Sequence, residues 1–401
     1  MPAGDEATFK TAVRYGADAI YIGGEAFSLR AKAKNFTIPL MKECIDLAHK
    51  NNIKVYVTAN IYAHNDDLED AKLYFEELNK LKPDAVLISD IGLICIAKKI
   101  FDGIDIHLST QANTTNYETV KFFRDMGVKR VVLARELSLD EIKKIKEEVK
   151  DTIEIETFVH GAMCISYSGR CLLSAFMTGR SANAGECTHP CRWKYKLLEE
   201  EERPGQYMPV METERGTYLF NSKDLNMIEH IDKLIDAGID SFKIEGRMKT
   251  ALYIATVART YRKAIDDYNK DKKLYYDNIE EYKKEIGKCT NREWTTGFYF
   301  GKPNEDSQIY ENSTYVVGAV YYGTIEKVEG EYAYFEQKNK FSVGDELVVM
   351  KPDFTNRKAK VIEMYDVEKK ERIETCPHAK QKLKVKFSER VEELDILRSD
   401  D

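Results

Sequence analysis

The first 250 residues alternate short runs rich in β-branched and aromatic residues with segments of helix length, and this alternation limits the fold more than any single residue does. The extended runs are Ala19–Gly23 (AIYIG), Lys54–Ala59 (KVYVTA), Ala85–Ser89 (AVLIS), Asp105–Ser109 (DIHLS), Arg130–Ala134 (RVVLA), Ile153–Val159 (IEIETFV) and Ser241–Glu245 (SFKIE). Between them, Thr37–Asn51 and Leu68–Leu81 repeat apolar residues at three- and four-residue spacing, as a helix with one buried face requires. Gly16, Gly127 and Gly238 stand just ahead of strands, where a helix ends in a left-handed turn. Repeated β–α units predict an α/β fold with a parallel sheet.

Seven such strands predict a TIM-like (β/α)8 barrel whose first strand is apparently missing, with a doubly wound open sheet as the alternative. The chain opens on Met1-Pro2-Ala3-Gly4, a turn, and enters a helix from about Asp5. A strand is expected just ahead of that turn, so either the barrel is open or the start codon lies upstream. The barrel is expected over residues 1–270, with a cysteine-rich insert at about 160–240. That insert is read as the cysteines, a hairpin pairing Trp193–Glu199 with Pro209–Phe220, and a helix near Leu225–Ala237. A helical and aromatic linker is expected over 271–312, including Asn291–Pro303 (NREWTTGFYFGKP). Alternating strands with Gly turns then predict a small all-β barrel domain over 313–401.

Composition narrows the class. No stretch approaches about 18 consecutive apolar residues, so no membrane span is expected. The N-terminus lacks the basic-then-apolar pattern of a secretory signal, which points to the cytoplasm, where thiols stay reduced. A net charge of -7 argues against a uniformly basic nucleic-acid surface but leaves room for a local patch.

Four of the eight cysteines, Cys164, Cys171, Cys187 and Cys191, follow a C-x6-C-x15-C-x3-C spacing, while Cys44, Cys95, Cys289 and Cys376 are scattered and read as apolar thiols. Gly161, Gly169, Gly179 and Gly185 lie among the four, with Ser166, Ser168, Ser174 and Ser181. Soft thiolates select zinc or iron–sulfur. Unrelated thiols, structural zinc and a cluster on all four cysteines are the readings. Zinc sites present paired C-x2–4-C knuckles, and only Cys187–Cys191 fits, so the cluster is preferred. His160 and His189 flank the group and read as supporting residues rather than ligands.

The stretch Glu156–Cys171 (ETFVHGAMCISYSGRC) resembles the signature of peptidase family U32, the so-called collagenase-like proteases. So do Tyr15–Phe36 (YGADAIYIGGEAFSLRAKAKNF), Thr110–Asn113 and Phe242–Thr250 (FKIEGRMKT), and the likeness runs through the C-terminal β domain. The resemblance is nearest to the tRNA 5-hydroxyuridine hydroxylation proteins of that family. It implies an oxygen-independent hydroxylase holding a 4Fe–4S cluster on Cys164, Cys171, Cys187 and Cys191. It further implies wobble-position 5-hydroxyuridine as product, prephenate as co-substrate, and a paralogous U32-family subunit as a possible partner. Other relatives modify ribosomal RNA or ubiquinone, so tRNA is the expected substrate rather than a settled one. Neither DNA nor a membrane is expected as a partner.

The residues themselves leave the peptidase and non-catalytic RNA-binding readings open. No G-x-S-x-G elbow or H-E-x-x-H pair occurs, although Cys164 follows His160 closely. Barrel strands deliver catalytic groups at their C-terminal ends. By position these are Gln111 and Asn113, Arg135 and Glu136, His160, and Lys243, Glu245 and Arg247, with Asn221, Ser222, Lys223 and Asp224 after the hairpin. A dicarboxylate would need cationic clamps, for which Arg135 and Arg247 come first and Lys243 next; pairing of Arg247 with a neighbouring carboxylate is the plainer alternative. Arg170, Arg180, Arg192, Lys194 and Lys196 are the candidate RNA-tracking charges. Trp193 and Tyr195 among them either stack on a base or pack inward. The Lys- and Tyr-rich C-terminal domain is a second candidate RNA surface.

Overall fold

The structure, a computed structural model, describes residues 1–28, 35–164, 171, 173–178, 180, 187–188, 190, 211–213, 216–218, 222–301, 318–378 and 380–400. These fall into two compact units that do not follow each other linearly. The first comprises Met1–Asp5, Ala19–Arg247 and Arg292–Tyr315; the second comprises Glu6–Asp18, Met248–Asn291 and Val316–Asp401.

In the first unit, parallel strands β1 (Ala19–Gly23), β2 (Lys54–Ala59), β3 (Ala85–Ile88), β4 (Asp105–Leu108), β5 (Arg130–Val132) and β6 (Glu154–Ala162) pair in sequential order. A doubly wound sheet would reverse its order at a switch point, and this run has none. β10 (Ser241–Ile244) pairs parallel to the other edge of β6. The strands are buried almost throughout, as expected where helices cover a parallel sheet. Met1–Ala3 lie parallel against β1, with Tyr21 N donating to Met1 O at 2.9 Å and Ala3 N to Tyr21 O at 3.1 Å. The edge where a first strand was expected is therefore covered by the residues ahead of Gly4.

Helices enter where side chains can satisfy their open N–H groups. Thr37 caps Ile38–Lys50, Asp90 caps Ile91–Ile100 and Asn116 caps Tyr117–Asp125. Ser138 and Glu141 form a reciprocal capping box on Leu139–Val149. Each cap stands in or just after the loop leaving a strand, so it also fixes the loop geometry at the strand's C-terminal end. Gly16, Gly127 and Gly238 take φ of 94°, 84° and 75°, the left-handed turns expected of them.

The insert departs from expectation. Met211–Thr213 (β7) pairs antiparallel with Gly216–Tyr218 (β8), so the run read as one arm of a hairpin pairs with itself; Trp193–Glu199 lies outside the described residues. Asp224–Asn226, expected to open a helix, forms strand β9 against His160–Ala162, and only Ile231–Asp236 is α-helical there. The tertiary partner, the long end of β6, overrides local preference. Likewise Trp294–Thr295, within the expected linker, forms β11 beside β9.

The second unit holds helices Glu6–Arg14, Ala251–Lys270, Lys272–Asp277 and Ile279–Ile286 and an eight-stranded antiparallel sheet. Its strands are β12 (Tyr321–Thr324), β13 (Lys327–Glu329), β14 (Tyr332–Glu336), β15 (Glu346–Met350), β16 (Asn356–Asp366), β17 (Glu371–Ile373), β18 (Lys382–Phe387) and β19 (Ile396–Arg398). Phe335, Val349, Ala359, Met364, Leu383 and Val385 build its core.

Candidate functional site

The chain segment leaving β10 carries Arg247, whose side chain is almost fully buried. Its Nη1 donates to Ser28 Oγ at 2.6 Å and its Nη2 to Asn35 Oδ1 at 3.0 Å. The guanidinium presses on the end of β1: a Cβ on Gly23 would stand 2.2 Å from Nη2, so a larger residue there would displace the Arg247 guanidinium. Thr58, near the end of β2, donates to Ile22 O at 3.1 Å and reaches Ser28 Oγ at 3.3 Å. The Arg247 guanidinium thus ties Ser28 and Asn35 to the end of β1.

Beyond β4 and β5 the chain gathers further polar groups. Asn60 donates to Ser109 Oγ at 3.2 Å, and the Tyr62 hydroxyl donates to the Gln111 carbonyl. Arg135 lies 3.9 Å over the Phe158 ring and donates from Nη1 to Ala162 O at 3.0 Å. It lines a pocket with Thr157, Met163, Leu225 and Tyr299. Among the described residues, Gln111 Oε1, Asn113 Oδ1, Thr114 Oγ1 and Arg135 Nε are buried without a hydrogen-bond partner. Buried polar atoms are normally satisfied, so such a group at strand ends suits a bound polar molecule.

β6 outruns its neighbours and carries the chain toward the cysteines. His160, fully buried, packs against Trp294 with ring centroids 5.1 Å apart. Gly161, at φ 107°, lets Glu245 approach: a Cβ there would meet Glu245 O at 2.5 Å. Glu245 N donates to His160 O at 2.9 Å. Asp224 on β9 receives Arg292 Nη2 at 2.7 Å, Nε at 3.1 Å and the Arg292 amide at 3.1 Å, all buried. This clamp pins β9 and the β11 segment beside the end of β6. Two residues past β6, Cys164 is exposed.

Cys171 and Cys187 are half-buried and free. The segments bearing them are tied together. Ser174 of Leu173–Thr178 is fully buried, lies 3.0 Å from Thr188 Oγ1 and accepts the Thr188 amide at 3.1 Å. Among the described residues, no three His, Cys, Asp or Glu side chains are grouped as a metal would need. Cys191 lies outside those residues, as do His189, Trp193, Tyr195, Asn221, Arg170, Arg192, Lys194 and Lys196. Arg180 is described and exposed. The donor chemistry fits a thiophilic group: three free thiols follow a rigid strand in the expected order.

Lys243 serves differently from a substrate clamp. Its Nζ stands 2.5 Å from Glu156 Oε1, inside the sheet, and both are buried. Arg130 Nη1 reaches Glu156 Oε2 at 3.0 Å, and Ser241 donates to the same oxygen at 2.8 Å. Arg130 also binds Glu154 and lies near the Tyr56 hydroxyl. Burial alone would push the Glu156 carboxyl up, but Lys243 and Arg130 together hold it at about 2. Burial, aided by Arg130, pushes His107 in this layer down to about 3. Local sequence reading missed Glu156, Arg130 and His107 as one network, and missed Ser28, Asn35 and Arg292. The available signal was a charged residue inside an otherwise apolar strand, as in IEIETFV and RVVLA.

A model of the family described as Peptidase family U32 matches residues 4–309, and one described as Peptidase family U32 C-terminal domain matches residues 314–398. The tRNA hydroxylation protein P1 of Bacillus subtilis (strain 168) is 37% identical over 399 residues, 99% of this chain and 93% of that protein. The tRNA hydroxylation protein P of Escherichia coli (strain K12) is 39% identical over 395 residues, 88% of this chain and 85% of that protein. The 23S rRNA 5-hydroxycytidine C2501 synthase of Escherichia coli (strain K12) is 38% identical over 265 residues, 66% of this chain and 38% of that protein.

Proposed function

The chain belongs to peptidase family U32, and from that membership we propose that it is an iron–sulfur-dependent, oxygen-independent enzyme hydroxylating tRNA, with 5-hydroxyuridine at the wobble position as product and prephenate as co-substrate. The observation that carries this reading is likeness to tRNA hydroxylation proteins along 99% and 88% of the chain, both units included.

Cys164, Cys171, Cys187 and Cys191 would hold a 4Fe–4S cluster, which supplies one-electron chemistry when bound. The protein's own groups do the positioning. Arg135 lines the pocket with its Nε unpartnered, suited to a carboxylate. Arg247 orders Ser28 and Asn35 at the end of β1. Arg180 and the charges at Arg170, Arg192, Lys194 and Lys196 are proposed to follow the RNA backbone. We also read the parallel sheet as a closed (β/α)8 barrel with its seam between Met1–Gly4 and β10. The Tyr21 hydroxyl donates to Ile244 O at 2.9 Å, and a Cβ on Gly4 would stand 2.0 Å from Arg247 O. A paralogous subunit and a cytoplasmic location accompany this reading.

The family's peptidase name supplies the second reading. A cysteine protease needs an accessible base beside its nucleophile. His160 is fully buried against Trp294 whereas Cys164 is exposed, which favours the hydroxylase. The test is iron, sulfide and zinc content of protein purified without oxygen. About four irons and four sulfides per chain support the cluster. Zinc alone, or no metal with gelatin cleavage blocked by thiol reagents, supports the peptidase. RNA binding with no change in modification on gene deletion would leave only the non-catalytic reading.

A further inference from the structure

β18 reads Lys-Leu-Lys-Val-Lys-Phe, and its alternation is resolved cleanly. Leu383, Val385 and Phe387 enter the core, while Lys382, Lys384 and Lys386 occupy the opposite face. Outward lysines commonly protect a sheet edge from pairing with other chains. β18 is not an edge: it lies between β14 and β16. Its lysines therefore need another reason.

Cross-strand register supplies one. Lys327 of β13 stands opposite Tyr334 of β14, and Tyr334 stands opposite Lys384 of β18. Lys384 in turn faces Tyr365 of β16, and Tyr365 faces Arg372 of β17. One row across five strands thus reads cation, ring, cation, ring, cation. At the usual interstrand spacing it spans about 19 Å. Lys384 Nζ lies 5.4 Å from the Tyr365 ring centre and 4.1 Å from that of Tyr332 in the adjoining row, so the central cation is held among rings. Lys327 pairs with exposed Glu329 and Arg372 with exposed Glu374, pairs of a kind that is weak and exchangeable, while Glu363 faces Arg372 and accepts from the Tyr332 and Tyr365 hydroxyls.

We propose that this row is a docking surface for a single-stranded segment of RNA, with Tyr334 and Tyr365 stacking on bases and Lys327, Lys384 and Arg372 meeting phosphates. Every base offers a ring face, so alternating rings and cations on a sheet suit an unpaired strand. A duplex hides those faces, and an acidic peptide would use the cations alone. The inference rests on the RNA reading above and adds where, on the second unit, an unpaired segment is gripped.

The test uses the full chain and a fluorescently labelled anticodon stem–loop RNA, followed by anisotropy across a salt series. Tyr334→Ala with Tyr365→Ala is expected to weaken binding by about 10- to 100-fold with an unchanged salt slope. Lys327→Gln, Lys384→Gln and Arg372→Gln together are expected to reduce the log–log salt slope by about 2, since each lost single-strand phosphate contact removes about 0.7. Should the tyrosine pair disturb folding, which circular dichroism will show, the glutamine set, with Lys327 and Arg372 exposed and Lys384 half-buried, decides alone. Unchanged affinity and slope in both sets overturns the surface. Equal losses for a fully duplex RNA also overturn the single-strand assignment. Tight binding by every variant together with intact wobble hydroxylation in cells would remove this surface and keep the enzymatic reading. Loss of binding in the variants, in a protein whose deletion leaves wobble modification at its normal level, would keep the surface and remove the enzymatic reading.

Discussion

Lys243 Nζ and Glu156 Oε1 stand 2.5 Å apart within the parallel sheet, with Arg130 sharing the same carboxylate. Two buried cations therefore depend on one anion, backed by Glu154 at the rim. Removing the anion leaves Lys243 uncompensated and Arg130 only its Glu154 partner, whereas removing Lys243 leaves Glu156 its Arg130 and Ser241 partners. Glu156→Gln is expected to cost about 3–5 kcal/mol, the range for breaking a buried pair, and Lys243→Met distinctly less. Urea unfolding of both variants checks the order; equal losses would contradict it.

Acid stability follows from the same layer. Glu156 titrates near 2 when folded against an ordinary 4.5, so its contribution is complete above about pH 4.5 and is lost as pH falls toward 2. His107 titrates near 3 when folded against 6.5, so below about pH 6.5 the unfolded chain gains a proton that the folded chain refuses. Each group costs up to about 1.4 kcal/mol per pH unit within its window. Unfolding free energy should therefore begin to fall near pH 6.5, and His107→Gln should make that fall shallower between about pH 6.5 and 4.5, where His230, also held below its ordinary value by burial, supplies the remainder. An equally steep fall in the variant would show that His107 does not set it.

The seven strands were legible because parallel strands buried on both faces become continuous runs of β-branched residues. Their C-terminal ends were less so. Gly161 and Ala162 have little strand preference, yet they extend β6 because β9 pairs with them. β9 itself, Asp-Leu-Asn, owes its form to that partner and to Arg292, some 68 residues on. Lys243 was read as a substrate clamp because its place at a strand end is visible locally, while Glu156, 87 residues earlier, is not. Arg247 and Arg135 were named as candidates by position alone. Ser28 and Asn35, which hold Arg247, carry no local signal.

Arg135 faces the pocket with its Nε unpartnered, and it is half-buried. If it meets the carboxylate of a co-substrate, Arg135→Ala removes a charged hydrogen bond of about 1.5–3 kcal/mol, roughly 10- to 150-fold in co-substrate KM. Arg135→Lys should recover part of the loss, because a lysine keeps charge but not the fork. Steady-state kinetics over co-substrate concentration checks this. A fall in kcat with unchanged KM would assign the residue elsewhere.

Ser174 joins the Cys171 and Cys187 segments through Thr188. Ser174→Ala removes the acceptor of the Thr188 amide and one partner of its hydroxyl, at about 1–3 kcal/mol. Iron should then be lost faster to a chelator. Equal iron retention in both proteins would separate this contact from the metal site. Cys171→Ala should be more severe, giving colourless and less stable protein.

The central claim is that this chain hydroxylates tRNA. The most direct measurement is nucleoside mass spectrometry of wobble uridine in tRNA from a strain lacking the gene, complemented with the parent chain or with Cys171→Ala. The account predicts that 5-hydroxyuridine disappears on deletion, returns with the parent and stays absent with Cys171→Ala. Unchanged 5-hydroxyuridine in the deletion strain, or full recovery with the cysteine variant, would contradict it.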